Sequence, residues 1–130
     1  MVKIVKCSEK YWEFVRILRM DDRVINGFIQ KTFISKEDQI KYMSKYNDNY
    51  YIALFEEIPV GFVGVIEDDI RICTHPDYQN KGIGKIMLEY IKNIFPNAFG
   101  KIKINNNSSK KLFESCGFKQ AYIIYTKNEC

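Results

Sequence analysis

Ile72-Cys-Thr-His-Pro-Asp-Tyr-Gln-Asn-Lys-Gly-Ile-Gly-Lys85 joins a strand to a helix through a glycine loop. Ile70 to Thr74 is β-rich, and His75-Pro76 closes that strand because a residue before proline is driven to extended geometry. From Gly82 to Phe95 the apolar residues Ile83, Ile86, Met87, Tyr90, Ile91 and Ile94 recur with the helical period, and Pro96 marks the stop. In Gln79-Asn-Lys-Gly-Ile-Gly84 the glycines let a ligand approach the backbone closely and turn successive N–H groups one way. The positive end of the following helix dipole, with Lys81 and Lys85, makes this an anion site suited to a pyrophosphate. Two other phosphate loops fail on spacing. Gln79 replaces the first glycine of a Walker-type loop and Ile86 its Ser/Thr, while Met87 stands where the dinucleotide fingerprint needs a third glycine.

Working outward, Val2 to Lys6 alternates apolar and charged residues as a strand does. Ser8 is positioned to cap a helix running to about Arg19, with Trp12, Val15 and Leu18 at helical spacing. Asp21 to Phe33, which contains Asn26-Gly27, reads as a loop or broken helix. Ser35-Lys-Glu-Asp38 has capping-box spacing and starts a helix toward Tyr46, ended by Asn47-Asp48-Asn49. Tyr50 to Phe55 and Val60 to Ile66 form a hairpin across Glu56-Glu-Ile-Pro59, and Asp68-Asp69 turns the chain into the next strand. After the long helix, Phe99 to Ile104 reads as a strand. Ser108 to Cys116 reads as a short helix with Gly117 at its left-handed cap, and Phe118 to Thr126 as a final strand. The order is β-α-α-β-β-β-α-β-α-β, a mixed α/β (α+β) domain with about four helices over residues 1–130.

Composition agrees. The chain has 130 residues, 46% of them hydrophobic, with nine Tyr and nine Phe, enough apolar material for one core. No stretch approaches the ~20 apolar residues that span a bilayer, and the N-terminus lacks a secretory pattern, so a cytoplasmic location without membrane contact is expected. Cys7, Cys73, Cys116 and Cys130 show no Cys-x-x-Cys pair, which argues against a metal cluster and for reduced thiols. Cys73 and His75 would share a strand face, but no third group to orient a nucleophilic pair is visible. Residues 1–70 carry ten Lys/Arg against twelve Asp/Glu, whereas residues 71–130 carry ten against four. The basic second half suggests an anionic ligand, either nucleic acid or a phosphorylated cofactor. No nucleic-acid-binding motif accompanies that charge.

The Ile72–Lys85 segment closely resembles the acetyl-CoA signature of the GNAT superfamily, in which a strand ending in hydrophobic-x-Pro leads into Gln/Arg-x-x-Gly-x-Gly/Ala. Asn106-Asn-Ser-Ser-Lys-Lys-Leu-Phe-Glu-Ser-Cys-Gly-Phe118 looks like its second signature, Asn-x-x-Ala/Ser-x-x-Leu-Tyr-x-x-x-Gly-Phe. The two occur in the family's order and separation, and the resemblance runs over about residues 50–126. It implies a single GNAT-like domain whose central sheet is mixed and mostly antiparallel. It also implies acetyl-CoA as cofactor, a small-molecule amine as partner, and a monomer or homodimer. The backbone of Ile72, Cys73 and Thr74 would pair with the pantetheine arm. Gln79, Asn80, Lys81, Gly82, Ile83, Gly84 and Lys85 would hold the pyrophosphate, and Asn106, Ser109 and Phe113 would meet the cofactor from the other side. Lys101, Lys103, Lys110 and Lys111 are candidates for the 3′-phosphate.

The expected reaction is direct attack of a neutral amine on the thioester, with a backbone N–H near Cys73 or Thr74 stabilising the oxyanion. The chain departs from the family where chemistry matters. Phe113 stands where a proton-donating Tyr is usual, and Lys101 where ribosomal-protein N-terminal acetyltransferases carry a Glu base. A thiol of pKa ~8.5 leaves tolerably without an acid, and an amine at ~7.7–8.0 is partly neutral at pH 7, unlike a Lys side chain at ~10.4. Asp68 matches the position of the histone-type branch's Glu, and its competing role is a plain hairpin turn with Asp69. Tyr122 and Tyr125 are further hydroxyl candidates. The region from about Arg19 to Phe33 and the final hairpin would form the acceptor side, and Arg16, Arg19 and Arg23 are positioned to meet a carboxylate or phosphate if they face inward. Transfer to a metabolite or aminosugar amine is favoured over transfer to a protein N-terminus or a non-catalytic acyl-CoA-binding domain.

Overall fold

The computed structural model describes residues 1–29 and 33–127. Among these, four strands form, β1 (Val2–Lys6), β2 (Tyr50–Phe55), β3 (Ile58–Ile66) and β4 (Asp69–Thr74). Four α-helices accompany them, α1 (Trp12–Arg19), α2 (Lys36–Tyr46), α3 (Ile83–Ile94) and α4 (Asn107–Ser115). The strands pair antiparallel in chain order, β1-β2-β3-β4. The unbroken apolar run of β2 is buried on both faces, as its sequence requires. Tyr50, Ile52 and Leu54 meet Val15 and Leu18 of α1 and Met43 of α2, while Tyr51 and Ala53 share the opposite core with Met87, Leu88 and Ile91 of α3. Exposed Lys3 and Lys6 lie along the outer strand β1, charges that discourage edge-to-edge pairing.

Local signals hold well. The Ser35 side chain accepts the Asp38 N–H at 3.0 Å and starts α2. Gly117 closes α4 at φ 89°, with Phe118 N–H bonded to Phe113 O and Gly117 N–H to Glu114 O. The Phe113 and Phe118 rings then meet edge to face at 5.2 Å, completing a Schellman cap with its hydrophobic contact.

Four expectations need correction. Ser8 makes no side-chain cap bond, because the chain enters α1 through a 3-10 turn at Glu9–Tyr11. The first hairpin is tighter than expected. Glu56 and Glu57 both adopt positive φ, and β3 already begins at Ile58, with the register shifted opposite Pro59, which has no N–H to give. The next turn is Glu67-Asp68, at φ 51° and 66°, so Asp69 belongs to β4.

The fourth correction concerns the last two strands. Phe99 alone bridges β4, its carbonyl accepting Ile70 N–H at 2.9 Å and its N–H reaching Asp68 O at 2.8 Å. Beyond it the chain leaves the sheet. The Phe113 ring occupies the face of Gly100, and Lys103 donates to Asn26 O at 2.9 Å. Alternating apolar residues specify an extended chain but not its partner, and residues 118–126 join none of the described strands and are mostly exposed. The sheet is accordingly antiparallel, apart from the one parallel bridge at Phe99.

Candidate active site

Strand β4 is the last of the sheet, and its backbone parity decides which groups it offers. His75 N–H turns inward to Val60 O at 2.7 Å, whereas Ile70 N–H turns outward to Phe99 O. Alternation then puts the N–H and C=O of Ile72 and Thr74 on the outer edge, about 6.6 Å apart along the strand. Those of Cys73 face β3. Past Phe99, no described strand covers that edge.

The chain then turns. Pro76–Tyr78 forms a 3-10 turn whose Asp77 N–H is accepted by His75 Nδ1 at 3.1 Å, so the neutral ring carries its proton on Nε2. Gln79 to Gly82 are exposed, Asn80 and Gly82 adopt φ 64° and 79°, and α3 follows at once. Buried Ile83 anchors the helix start, while the N–H groups of its first turn have no intrahelical acceptor. A Cβ on Gly82 would meet nothing within 4 Å, so the loop is open to a ligand. Gly84 has the opposite reason to be glycine. A Cβ there would sit 3.2 Å from Leu112 and 3.6 Å from Thr74 Oγ1, where α3, α4 and β4 converge. The core that holds Met87 and Leu88 of α3 also holds Phe113 of α4, so the two signature segments lie side by side.

The other expected site residues divide. Asn106 caps α4, its Oδ1 accepting Ser109 N–H at 3.1 Å, while its Nδ2 makes no hydrogen bond among the described residues. Phe113 is 6% exposed, inside the core against Gly100 and Phe118. Asp68 sits in the turn at the end of β4 remote from the glycine loop, six residues from Thr74, or ~20 Å of strand. Lys101 approaches Asp69 at 3.8 Å, and Lys110 donates to Ile104 O, so these lysines have local partners. Lys111 is exposed. Tyr122 and Tyr125 are 90% and 92% exposed, outside either core. Burial pushes the Cys73 thiol up to about 12, and its sulfur leans on Thr74 O rather than on His75. Cys7 and Cys116 are free thiols, and Cys130 lies outside the described residues. No group able to hold a metal ion occurs among the described residues, and no described helix is long and apolar enough to cross a membrane.

The segment after α1, expected on the acceptor side, is tied to the turn that follows β4. Arg23 donates to Asp21 and, at 2.8 Å, to Asp77 just past β4. Arg23 holds the Asp21 carboxyl down at about 2. Lys103 and Asn106 flank Asn26 and Gly27 on the other side. Gln30 to Thr32, part of the expected acceptor region, lie outside the described residues. A concavity of about 500 Å³ lined by Ile17, Met20 and Asp21 to Arg23 adjoins this clasp but contains none of residues 72–85. Phosphate loops bind through exposed backbone, so a loop of this kind need not line a concavity. The Arg23–Asp77 link escaped sequence reasoning, since nothing local connects positions 54 residues apart.

A family model described as acetyltransferase (GNAT) domain matches residues 46–120, more than half of the chain. The chain belongs to the GNAT acetyltransferase family. It is thereby an acetyltransferase, in a family whose acyl donor is acetyl-CoA. Solved structures share the fold at low identity. Spermidine N-acetyltransferase from Vibrio cholerae, in complex with CoA and spermine, superposes with a TM-score of 0.80 at 14% identity, over 93% of this chain and 82% of that one. A domain from Methanocaldococcus jannaschii gives 0.78 at 24% identity, over 93% and 90%. An aminoglycoside acetyltransferase from an uncultured soil metagenomic sample gives 0.69 at 17%, over 98% and 97%. A sequence search among curated proteins gave no match.

Proposed function

We propose that this GNAT protein transfers an acetyl group from acetyl-CoA to a primary amine of a small-molecule acceptor, a metabolite or an aminosugar, by direct attack in a ternary complex. The observation that carries the proposal is the open edge of β4 running directly into the Gly82 loop and the start of α3. Ile72 and Thr74 offer outward N–H and C=O groups that fit the amides of a pantetheine arm, as an added strand would. The loop from Gln79 to Lys85, with the first turn of α3, fits a pyrophosphate. Asn106 Nδ2, beside α4, is left over from capping to reach the same ligand. The cofactor supplies an activated thioester carbonyl.

The outward N–H of Ile72 or Thr74 stabilises charge on the carbonyl oxygen as the amine nitrogen bonds to carbon and the carbon–sulfur bond breaks. The amine sheds one proton and the departing thiolate takes one up. Phe113 has no proton to give, which a leaving thiol of pKa ~8.5 tolerates. Asp68 is held in the turn, so the neutral acceptor comes from its own basicity, and amines near ~8 are preferred over lysine-like amines near ~10.4. The substrates in the names of two similar structures, spermidine and an aminoglycoside, are small-molecule amines too.

A thiol-release assay with acetyl-CoA and amines graded by pKa is the test. Turnover with small amines of pKa near ~8, falling for more basic ones, is expected. CoA binding without turnover on any amine would instead favour a non-catalytic acyl-CoA-binding domain, the reading that buried, hydroxyl-free Phe113 supports.

A further inference from the structure

Strand β4 is two-faced. Ile70 and Ile72 enter the core beneath α3, whereas Cys73 packs with Tyr50 and Phe62 on the side of α1 and α2. Period-2 alternation therefore places Asp69, Arg71, Cys73 and His75 along the α1–α2 side, at the edge of the sheet. Arg71 stands opposite Gly64, and Gly64 opposite Tyr50. The absence of a side chain at Gly64 is what lets this row close up, since a Cβ there would lie 2.5 Å from the Tyr50 ring.

Of the chain's four arginines, two are saturated. Arg16 binds both Glu13 oxygens at 2.7 and 2.9 Å and also Ile34 O, and Arg23 is shared between Asp21 and Asp77. The other two are not. Arg19, the last residue of α1, has no carboxylate within ion-pair distance among the described residues, and its guanidinium lies over the Phe28 ring at 5.3 Å. Arg71 makes one long contact, Nε to Asp69 Oδ2 at 3.3 Å, and that same oxygen is approached by Lys101 at 3.8 Å. Two cations thus share one carboxylate, and Arg19 has none among the described residues. Arg71 is in register with Gly64 and, beyond it, Tyr50, and Leu18 and Phe28 pack with Tyr50 on that face, so Arg71 and Arg19, the latter stacked on Phe28, lie on the same face of the sheet.

We propose that Arg19 and Arg71 form a subsite for an anionic group, a phosphate or a carboxylate, carried by the amine acceptor itself. The inference rests on the acetyl-transfer reading above and narrows its substrate class to amines bearing a negative charge. A planar guanidinium stacked on an aromatic face presents its N–H edge in the fork that matches carboxylate and phosphate oxygens. The subsite lies on the same strand whose outer edge is offered to the cofactor, so an anion held there sets the register of the amine relative to the thioester.

The test is calorimetric titration of CoA-saturated protein with glucosamine 6-phosphate, 4-aminobutyrate and glucosamine. CoA saturation fills the glycine loop, so anion binding reports the second site. Glucosamine 6-phosphate is expected to bind at least about tenfold tighter than glucosamine, a preference that Arg19→Gln or Arg71→Gln removes and Arg16→Ala leaves intact. The 4-aminobutyrate arm separates carboxylate from phosphate recognition. CoA affinity measured first in each variant reports folding. Should wild-type protein fail to bind CoA, the acetyl-transfer reading falls; should it bind CoA but fail to prefer either anionic amine over glucosamine, only the anion subsite falls. A preference that survives in both glutamine variants also overturns it.

Discussion

Asn106 shows how one side chain can serve structure and ligand together. Its oxygen caps α4 through Ser109 N–H, so Asn106→Ala should lower stability by about 1 kcal/mol in chemical denaturation, the usual worth of such a cap. Asn106→Asp keeps the cap and loses the amide nitrogen. It should therefore keep stability while weakening CoA binding, and unchanged affinity would restrict Asn106 to capping. Cys73 makes a different prediction. A thiol pushed up to about 12 is ionised in only about one molecule in ten thousand at pH 8. Iodoacetamide at pH 8 should label Cys73 far more slowly in folded than in urea-unfolded protein, and fast labelling of folded protein would revive a Cys73–His75 nucleophile. At this scale the sequence was legible where a motif names a backbone conformation, as at Gly82 and Gly117. It named Arg19 as a candidate for a carboxylate or phosphate but was silent on Arg71, whose place on the same face depends on how α1 crosses the sheet.

Among the elements, α3 and the loop before it were readable because their signals are local. Helical spacing from Ile83 to Ile94, glycines before it and Pro96 after it leave one arrangement. The hairpin at Glu56-Glu57 and the turn at Glu67-Asp68 were placed one or two residues off, since acidic residues give no glycine signal for their positive φ. The unformed strands at 99–104 and 118–126 are the larger miss. Their β-rich composition speaks of extension, while pairing depends on whether β4 stays beside Phe99, and Gly100 and Phe113 lead the chain away. Gly100→Ala would bring a Cβ to 2.3 Å from the buried Phe113 ring, beyond what a rotamer shift absorbs. A loss of about 2 kcal/mol is expected in urea denaturation, in the range of overpacked cores. The double variant with Phe113→Leu should recover part of it, and strict additivity would show that the two positions do not touch.

For the whole molecule, the uneven charge of the two halves resolves into a division of labour. The first half supplies three strands, the helices α1 and α2, and the loop clasped by Arg23 to Asp77. The more basic second half supplies the free strand edge, the glycine loop and α4. That division was legible as charge and motif, but the side of the sheet on which an acceptor would lie became visible only from strand parity. The most direct measurement is titration of folded protein with acetyl-CoA beside Gly82→Glu. A Cβ at position 82 meets open space, and a non-glycine residue at positive φ costs about 1–2 kcal/mol, so this variant should stay folded while placing a carboxylate in the anion loop. Binding by wild-type protein, lost in the folded variant, is the predicted result; no binding by wild-type protein, or equal binding by both, would contradict the assignment of β4 and the Gly82 loop as the acetyl-CoA site.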